Sequence, residues 1–375
     1  MTAEKMNITL LPASLSQWAP EKPPAKQIAV LMSGGVDSSI AAYLLKEQGW
    51  AVLGVTMSIP VSCKVGPRGC CGADAALVCG DIGIPHRFLD VGEAFRQLIV
   101  QRFHQSYAKG ETPNPCIDCN TLLKFSLVWD FLEKEFGIEH LATGHYARVI
   151  RGDNDVRLGR ARDKTKDQSY FLYGIAREKL ERFVLPLGEL AKAEVRGIAE
   201  RLGLSVADKA ESMELCFAGE GDYRAALPED QAEREGEITN MQGEKIGTHK
   251  GVSNYTLGQR KGIGFAGGKP LYVGRIEATT NTIALGTREE VSFAVIGADC
   301  LNVLIGDELE VGRRLLGKIR SYGDPRPCEV AGLSETGMTV EFDEPQFAPS
   351  PGQRLVLYDQ HDNIVVGGTI VRRGE

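Results

Sequence analysis

The stretch LMSGGVDSS, Leu31 to Ser39, decides the reading of the fold. It grows out of the short apolar run IAVLM and leads into a helical pattern, so it stands as the turn between a strand and a helix. Its glycines let the backbone approach an anion, while Ser33, Ser38, Ser39 and the open N–H groups of the helix start offer donors to phosphate oxygens. It has neither the G-K-[ST] ending of a Walker loop nor the G-x-G-x-x-G spacing of a dinucleotide turn. The glycines alone leave an ordinary tight turn open beside a phosphate cradle.

Outward from this turn, strand and helix patterns alternate. Ile40 to Gln48 reads as a helix, AVLGVTM as a strand, Ala73 to Asp81 as a helix and HRFLDV as a strand. Glu93 to Tyr107 and Leu122 to Phe136 then read as helices, and HLATGHYA as a further strand. This alternation predicts an α/β domain with a parallel sheet covered by helices and a ligand site at the carboxyl ends of its strands. Beyond Gly219 glycines become dense and short β-branched runs such as LYVGRI and NTIALG replace helical periods. From about Val291 the runs ELEV, GKIRSY, MTVEF, QRLVLY and IVVGGTIV continue that texture. Two small β-rich domains are expected there. The boundaries are 26–218 for the α/β domain, 219–288 for the central module and 289–375 for the last. Residues 1–25, rich in Pro and polar types, are expected to form a poorly ordered extension outside the fold.

The chain has 375 residues, 43% of them hydrophobic and 25% charged, which are globular values. No apolar run nears the ~18 residues of a membrane helix, and the start has no secretory-signal pattern, so a cytoplasmic location is expected. A net charge of -7 argues against indiscriminate coating of nucleic acid but permits a local basic face. Nine cysteines cannot all pair within one chain, which points to a reducing compartment. Cys63, Cys70, Cys71 and Cys79 have no paired C-x-x-C knuckles, and no zinc site is expected of them. His145 and His249 are read as structural histidines.

The full SGGVDSS string resembles the PP-loop of ATP pyrophosphatases, of the adenine nucleotide α-hydrolase type, which cleave ATP between the α and β phosphates to adenylate a substrate. That resemblance implies ATP contacts from Leu31, Met32, Ser33, Gly34, Gly35, Val36, Asp37 and Ser38. Asp37 would help to place Mg²⁺ or orient the loop, and Met57 and Gly144 would lie near the nucleotide. The strings TPNPCIDCN (112–120), ATGHYAR (142–148), KDQSYFLY (166–173), ELCFAGEGDYR (214–224) and YTLGQRKGIG (255–264) narrow it further. In that order they look like the MnmA/TrmU family of tRNA-specific 2-thiouridylases.

This second resemblance implies replacement of the C2 oxygen of the wobble uridine by sulfur in tRNAs for Lys, Glu and Gln. Cys216 would carry a persulfide, and Cys119 would act as the nucleophile that ends in a Cys119–Cys216 disulfide. A sulfur donor or relay protein would supply the persulfide. Asn114, Pro115 and Cys116 would border the flipped target base, and Lys166, Asp167, Gln168, Arg320 and Ser321 would contact tRNA. Lys250, Arg260, Lys261, Arg313, Arg314 and Lys318 are further candidates for backbone phosphates. The family pattern carries Asp where this chain has Cys116. The replacement makes a C-x-x-C which, with Cys216, gives three thiolates able to hold a [4Fe–4S] cluster with one open iron, and a passive substitution is the other reading. Rival functions are another PP-loop adenylating enzyme, or a non-catalytic metal module that binds tRNA.

Overall fold

The computed structural model describes residues 8–11, 26–59, 71–153, 155–209, 215–217, 234–265 and 268–374. It separates into two compact units, Met1–Ile99 with Ile117–Cys216, and Val100–Cys116 with Phe217–Glu375.

The first unit opens with β1 (Thr9–Leu10), β2 (Gln27–Leu31), α1 (Val36–Glu47), β3 (Ala51–Ser58), α2 (Cys71–Asp81) and β4 (His86–Asp90). A helical run continues as α3 (Gly92–Phe95) and a wider π-type segment Arg96–Val100, and its last part, α4 (Gln101–Ala108), belongs to the second unit. A second run is α5 (Pro115–Asp118), a π-type segment Cys119–Val128 and α6 (Trp129–Phe136), stopped by Gly137 at φ +66. Then come β5 (His140–Ala142), the hairpin strands β6 (Ala147–Arg151) and β7 (Val156–Arg160), β8 (Phe183–Val184) and α7 (Lys192–Arg201). Where the sequence suggested separate helices starting at Glu93 and Leu122, the helical runs start at Gly92 and Pro115.

The sheet order is β1-β4-β3-β2-β5-β8, parallel except for β1. From β2 the chain moves outward through β3 to β4, then returns to β5 on the other side of β2. The carboxyl end of β2 is therefore the point where strand order reverses, the position at which open α/β sheets bind ligands. LMSGGVDSS starts there. Strands β2 and β3 are apolar almost throughout because helices cover both faces. Ile28, Val30, Ile40, Leu45, Val78, Val195 and Ala199 share one buried cluster that ties α1, α2 and α7 to the sheet.

Two expectations change. Residues 1–25 were expected to stay outside the fold, yet Thr9–Leu10 pair antiparallel with Asp90 and Leu89, because the outer edge of β4 has hydrogen-bonding groups to satisfy. The run ELEV (308–311) is not a strand. Gly306–Glu308 is a single 3₁₀ turn, and the acidic, turn-rich sequence around it favours that geometry over a ladder.

The second unit holds β9 (Gly236–Asn240), β10 (Lys245–His249), β11 (Tyr272–Glu277) and β12 (Thr282–Gly286) in the order β10-β9-β12-β11. Ile238, Val273, Ile283 and Leu285 form its core. Next, β13 (Ser292–Val303), β14 (Arg314–Lys318), β15 (Arg326–Leu333), β16 (Gly337–Phe347), β17 (Arg354–Tyr358) and β18 (Ile364–Arg373) close into a barrel ordered β13-β16-β15-β14-β17-β18. Its interior is filled by residues such as Ile296, Val330, Phe342, Leu355 and Ile370. Within this unit, Thr112 N–H donates to the Pro351 carbonyl at 2.8 Å and the Gln353 amide donates to the Thr112 carbonyl at 2.9 Å.

Candidate active site

The loop after β2 is built by its own hydroxyls. Ser33 N–H donates to Ser38 Oγ at 3.2 Å, and the Ser38 and Ser39 hydroxyls donate to the Gly35 carbonyl at 3.1 and 2.9 Å. Gly34 sits at φ +69, a conformation that favours glycine. Met32 N–H bonds the Val55 carbonyl at 2.7 Å, and Thr56 Oγ1 donates to the Met32 carbonyl at 3.1 Å, fixing the loop's start to β3. Leu31, Met32, Val36 and Ser38 are buried, Ser33 is exposed, and Met57 is half-buried near the end of β3.

Asp37, in the first turn of α1, is enclosed by partners. Lys192 Nζ donates to both its oxygens, at 2.8 and 2.7 Å, and the Tyr146 hydroxyl donates to Oδ1 at 2.8 Å. The same ammonium lies 5.6 Å from the centre of the Tyr146 ring. Lys209 Nζ donates to the Gly34 carbonyl at 2.9 Å and to Asp74 Oδ2 at 2.6 Å. Gly144, in the turn after β5, packs so closely that a Cβ there would lie 2.6 Å from Asp37 C and Ser38 N. The sequence thus puts Gly144 beside the loop for a steric reason as well.

The KDQSYF segment is wired to the same place. The Gln168 side-chain oxygen accepts from Tyr146 N–H at 3.0 Å, and Gln168 N–H donates back to the Tyr146 carbonyl at 2.7 Å. The Asp167 side chain, 2% exposed, pairs with Arg160 at 3.3 Å and accepts from Ala161 N–H and the Ser169 hydroxyl at 3.0 Å each. Asp167 was expected to touch tRNA, but its carboxylate is consumed internally. Lys166 is half-buried.

Cys116 is exposed, Cys119 half-buried and Cys216 exposed. Cys119 opens the π-type segment, and burial pushes its thiol above the ordinary range, opposed by the Lys124 ammonium and reinforced by Asp118. Lys124 itself donates to Asn120 Oδ1 at 2.8 Å, and the buried Asn120 donates to the Phe171 carbonyl at 3.0 Å. Among the described residues no group of three or more His, Cys, Asp or Glu side chains is arranged to hold a metal ion. Cys79 is a core thiol that burial pushes up to about 12. Cys63 and Cys70 lie outside the described residues. His145 is held neutral by burial and by Lys124, which lower it to about 3, and it bonds Thr143 Oγ1 through Nδ1 at 2.7 Å.

In the second unit, Asn114 is half-buried and Pro115 buried. Lys250, Arg260 and Lys261 are exposed, and Arg260 with Phe265 and Lys269 borders a cavity of about 360 Å³ in the central module. Several barrel candidates serve the fold instead. Lys318 is buried and donates to the Ser321 carbonyl at 3.0 Å, while Arg313 pairs with Glu308 and Arg314 with both oxygens of Asp343. Arg320 donates to the Phe347 and Ala348 carbonyls.

Lys192, Lys209 and Tyr146 were not singled out from the sequence. One signal was available for Lys192. It occupies the first turn of α7, where the helix dipole disfavours a cation, and such a misplaced charge marks a specific partner.

Three family models match in order: a tRNA methyl transferase HUP domain over residues 26–220, a tRNA methyl transferase PRC-barrel domain over 224–287 and an aminomethyltransferase β-barrel domain over 303–371. A tRNA-specific 2-thiouridylase MnmA of Carboxydothermus hydrogenoformans is 41% identical over 362 residues, spanning 93% of this chain and 98% of that protein. The tRNA-specific 2-thiouridylase MnmA of Trichlorobacter lovleyi is 42% identical over 348 residues, spanning 92% and 97%. That of Paramagnetospirillum magneticum is 41% identical over 369 residues, spanning 93% and 97%. With similarity of this depth running through all three models, the chain belongs to the MnmA family of tRNA-specific 2-thiouridylases.

Proposed function

We propose that this protein is an ATP-dependent tRNA thiouridylase that converts the C2 carbonyl of a wobble uridine, in tRNAs for Lys, Glu and Gln, to a thiocarbonyl. The observation that carries the reading is the SGGVDSS loop at the switch point of the sheet, in the same compact unit as Cys119 and Cys216. A methyl transfer, as the wording of the family models suggests, has no use for a pyrophosphate loop.

In this reading the loop N–H groups and the Ser33 hydroxyl hold the β and γ phosphates while the C2 oxygen of uridine attacks the α phosphorus. Pyrophosphate leaves, and the oxygen is now bonded to AMP, which departs far more readily than an oxide. Cys119 Sγ, once deprotonated, attacks the inner sulfur of a Cys216 persulfide, Cys216 Sγ, with the terminal sulfur as leaving group. The Cys119–Cys216 bond forms, the S–S bond of the persulfide breaks, and hydrosulfide is released to attack C2 and expel AMP. A thiol reductant then reopens the disulfide. A sulfur donor or relay protein loads Cys216, and the protein works with tRNA in the reducing cytoplasm. Met57 and Gly144 border the nucleotide. Asn114, Pro115 and Cys116 border the target base, with Lys166, Gln168, Arg320 and Ser321 on the tRNA side. The domain division 26–218, 219–288 and 289–375 is part of the same reading.

Asp37 accepts three hydrogen bonds within the fold. Mg²⁺ would be held chiefly by the ATP phosphates, and no step is routed through it. The [4Fe–4S] alternative rests on the C-x-x-C of Cys116 and Cys119. No step is derived through a cluster.

The deciding experiment is ATP-dependent 2-thiouridine formation on wobble-uridine tRNA by iron-free protein, given a persulfide donor without oxygen. Product is the expected outcome. No product until iron and sulfide are restored would overturn the persulfide route, and no AMP release under either condition would overturn the function itself.

A further inference from the structure

Two lysines outside every motif described above hold the nucleotide loop at two points, Asp37 and the Gly34 carbonyl. Lys192 comes from the first turn of α7, is 9% exposed and gives its ammonium to both oxygens of Asp37. Lys209 lies eight residues beyond α7 and bonds the Gly34 carbonyl and Asp74, in the first turn of α2. Neither position is accidental in energetic terms. A buried ammonium at a helix N-terminus is opposed by desolvation and by the helix dipole, and only the carboxylate and ring around it offset that cost.

The consequence for the loop follows from peptide geometry. A trans peptide is planar, so its carbonyl and the next N–H point in opposite directions. No cis bond is present among the described residues. By anchoring the Gly34 carbonyl, Lys209 therefore dictates where the Gly35 N–H points, at the start of α1. Lys192, by fixing Asp37 against Tyr146, holds the first turn of α1 and so the donors that follow.

We propose that Lys192 and Lys209 are positioning residues for adenylation, a two-lysine clamp that sets the loop for pyrophosphate before ATP arrives. The proposal rests on the function above. It makes the segment after β8 part of the ATP machinery, although its residues lie 155 and 175 positions from the groups they hold.

The test compares Lys192→Met, Lys192→Arg, Lys209→Met and Lys209→Arg with the unaltered protein. Equilibrium ATP binding, ATP–pyrophosphate exchange in the presence of tRNA, and melting temperature are measured for each. Each Met variant should bind ATP roughly tenfold to a hundredfold more weakly, the scale of losing a hydrogen bond to a charged group, with a matching rise in the KM for ATP. The Arg variants should recover part of the loss. If the unaltered protein neither binds ATP nor exchanges pyrophosphate, the function itself fails. If it does both and the Met variants match it, the clamp is overturned. Loss of ATP binding that merely tracks a lowered melting temperature, with no recovery by Arg, would also overturn it by reducing the lysines to a stability role.

Discussion

At the nucleotide loop, Ser33, Ser38, Ser39 and Asp37 are all tied to near neighbours before any ligand is present. Of the cysteines that the proposed function uses, Cys216 faces solvent and Cys119 is a half-buried thiol pushed above its ordinary range. One region is a finished cradle, and the other is a set of groups whose chemistry is held back. A thiol with a raised pKa stays protonated near neutral pH, and a protonated thiol is a poor nucleophile. Burial thus favours the protonated Cys119 thiol, while the Lys124 ammonium pulls the other way. The difference teaches that, under the proposed function, the loop is built before ATP binds, whereas Cys119 must first lose its proton.

The sharpest way to break this contrast is to remove the thiols. Cys119→Ala and Cys216→Ala should each lower 2-thiouridine formation by about a thousandfold or more, on the scale of lost covalent catalysts, while equilibrium ATP binding is unchanged. Thiolation retained by Cys216→Ala, read by nucleoside mass spectrometry, would end both sulfur routes. The cradle is probed next by Gly144→Ala. Its Cβ would meet backbone atoms of Asp37 and Ser38 at 2.6 Å, and neither is the end of a flexible side chain. ATP affinity should fall at least about tenfold, since backbone must move to relieve the overlap. Gly80→Ala, with open space around its Cβ, is the control and should bind ATP normally.

The smallest effect concerns pH. Burial and Arg87 lower His86 to about 4, and burial and Lys124 lower His145 to about 3, both from an ordinary 6.5. Below 6.5 the unfolded chain binds protons that the folded unit refuses, so these groups make stability fall as pH drops from 6.5 towards 3–4. Each contributes at most ~1.4 kcal/mol per pH unit. The denaturation midpoint of the intact chain should drop between pH 7 and pH 5, and His145→Gln should flatten that dependence. An unchanged slope in the variant would show that His145 is not held neutral.

The alternating β and α segments were legible because β2 and β3 are apolar on both faces, a pattern few other structures produce. The loop and Gly144 were legible as strings. The hairpin β6–β7 was missed although ARVIRGDNDVRLGR alternates on either side of a turn: the strand HLATGHYA was taken to end at Ala147, and 148–160 received no reading. Lys192 and Lys209 were invisible for a different reason. Their partners lie far away in sequence, and a lysine in an exposed-looking helix turn reads as a solvated charge until folding reveals what surrounds it. The same limit explains Lys318, whose charge pointed to phosphate and whose buried ammonium serves the Ser321 carbonyl.

The short strand β1 has a practical consequence for anyone who trims the chain. Thr9 and Leu10 pair with Asp90 and Leu89, and Leu11 N–H donates to the Phe88 carbonyl at 3.0 Å. Removal of residues 1–11 would bare the outer margin of β4 and present its ladder to a second molecule, a known route to self-association. A shortened preparation that aggregates would thus be reporting a lost edge cover, not a damaged nucleotide or sulfur centre.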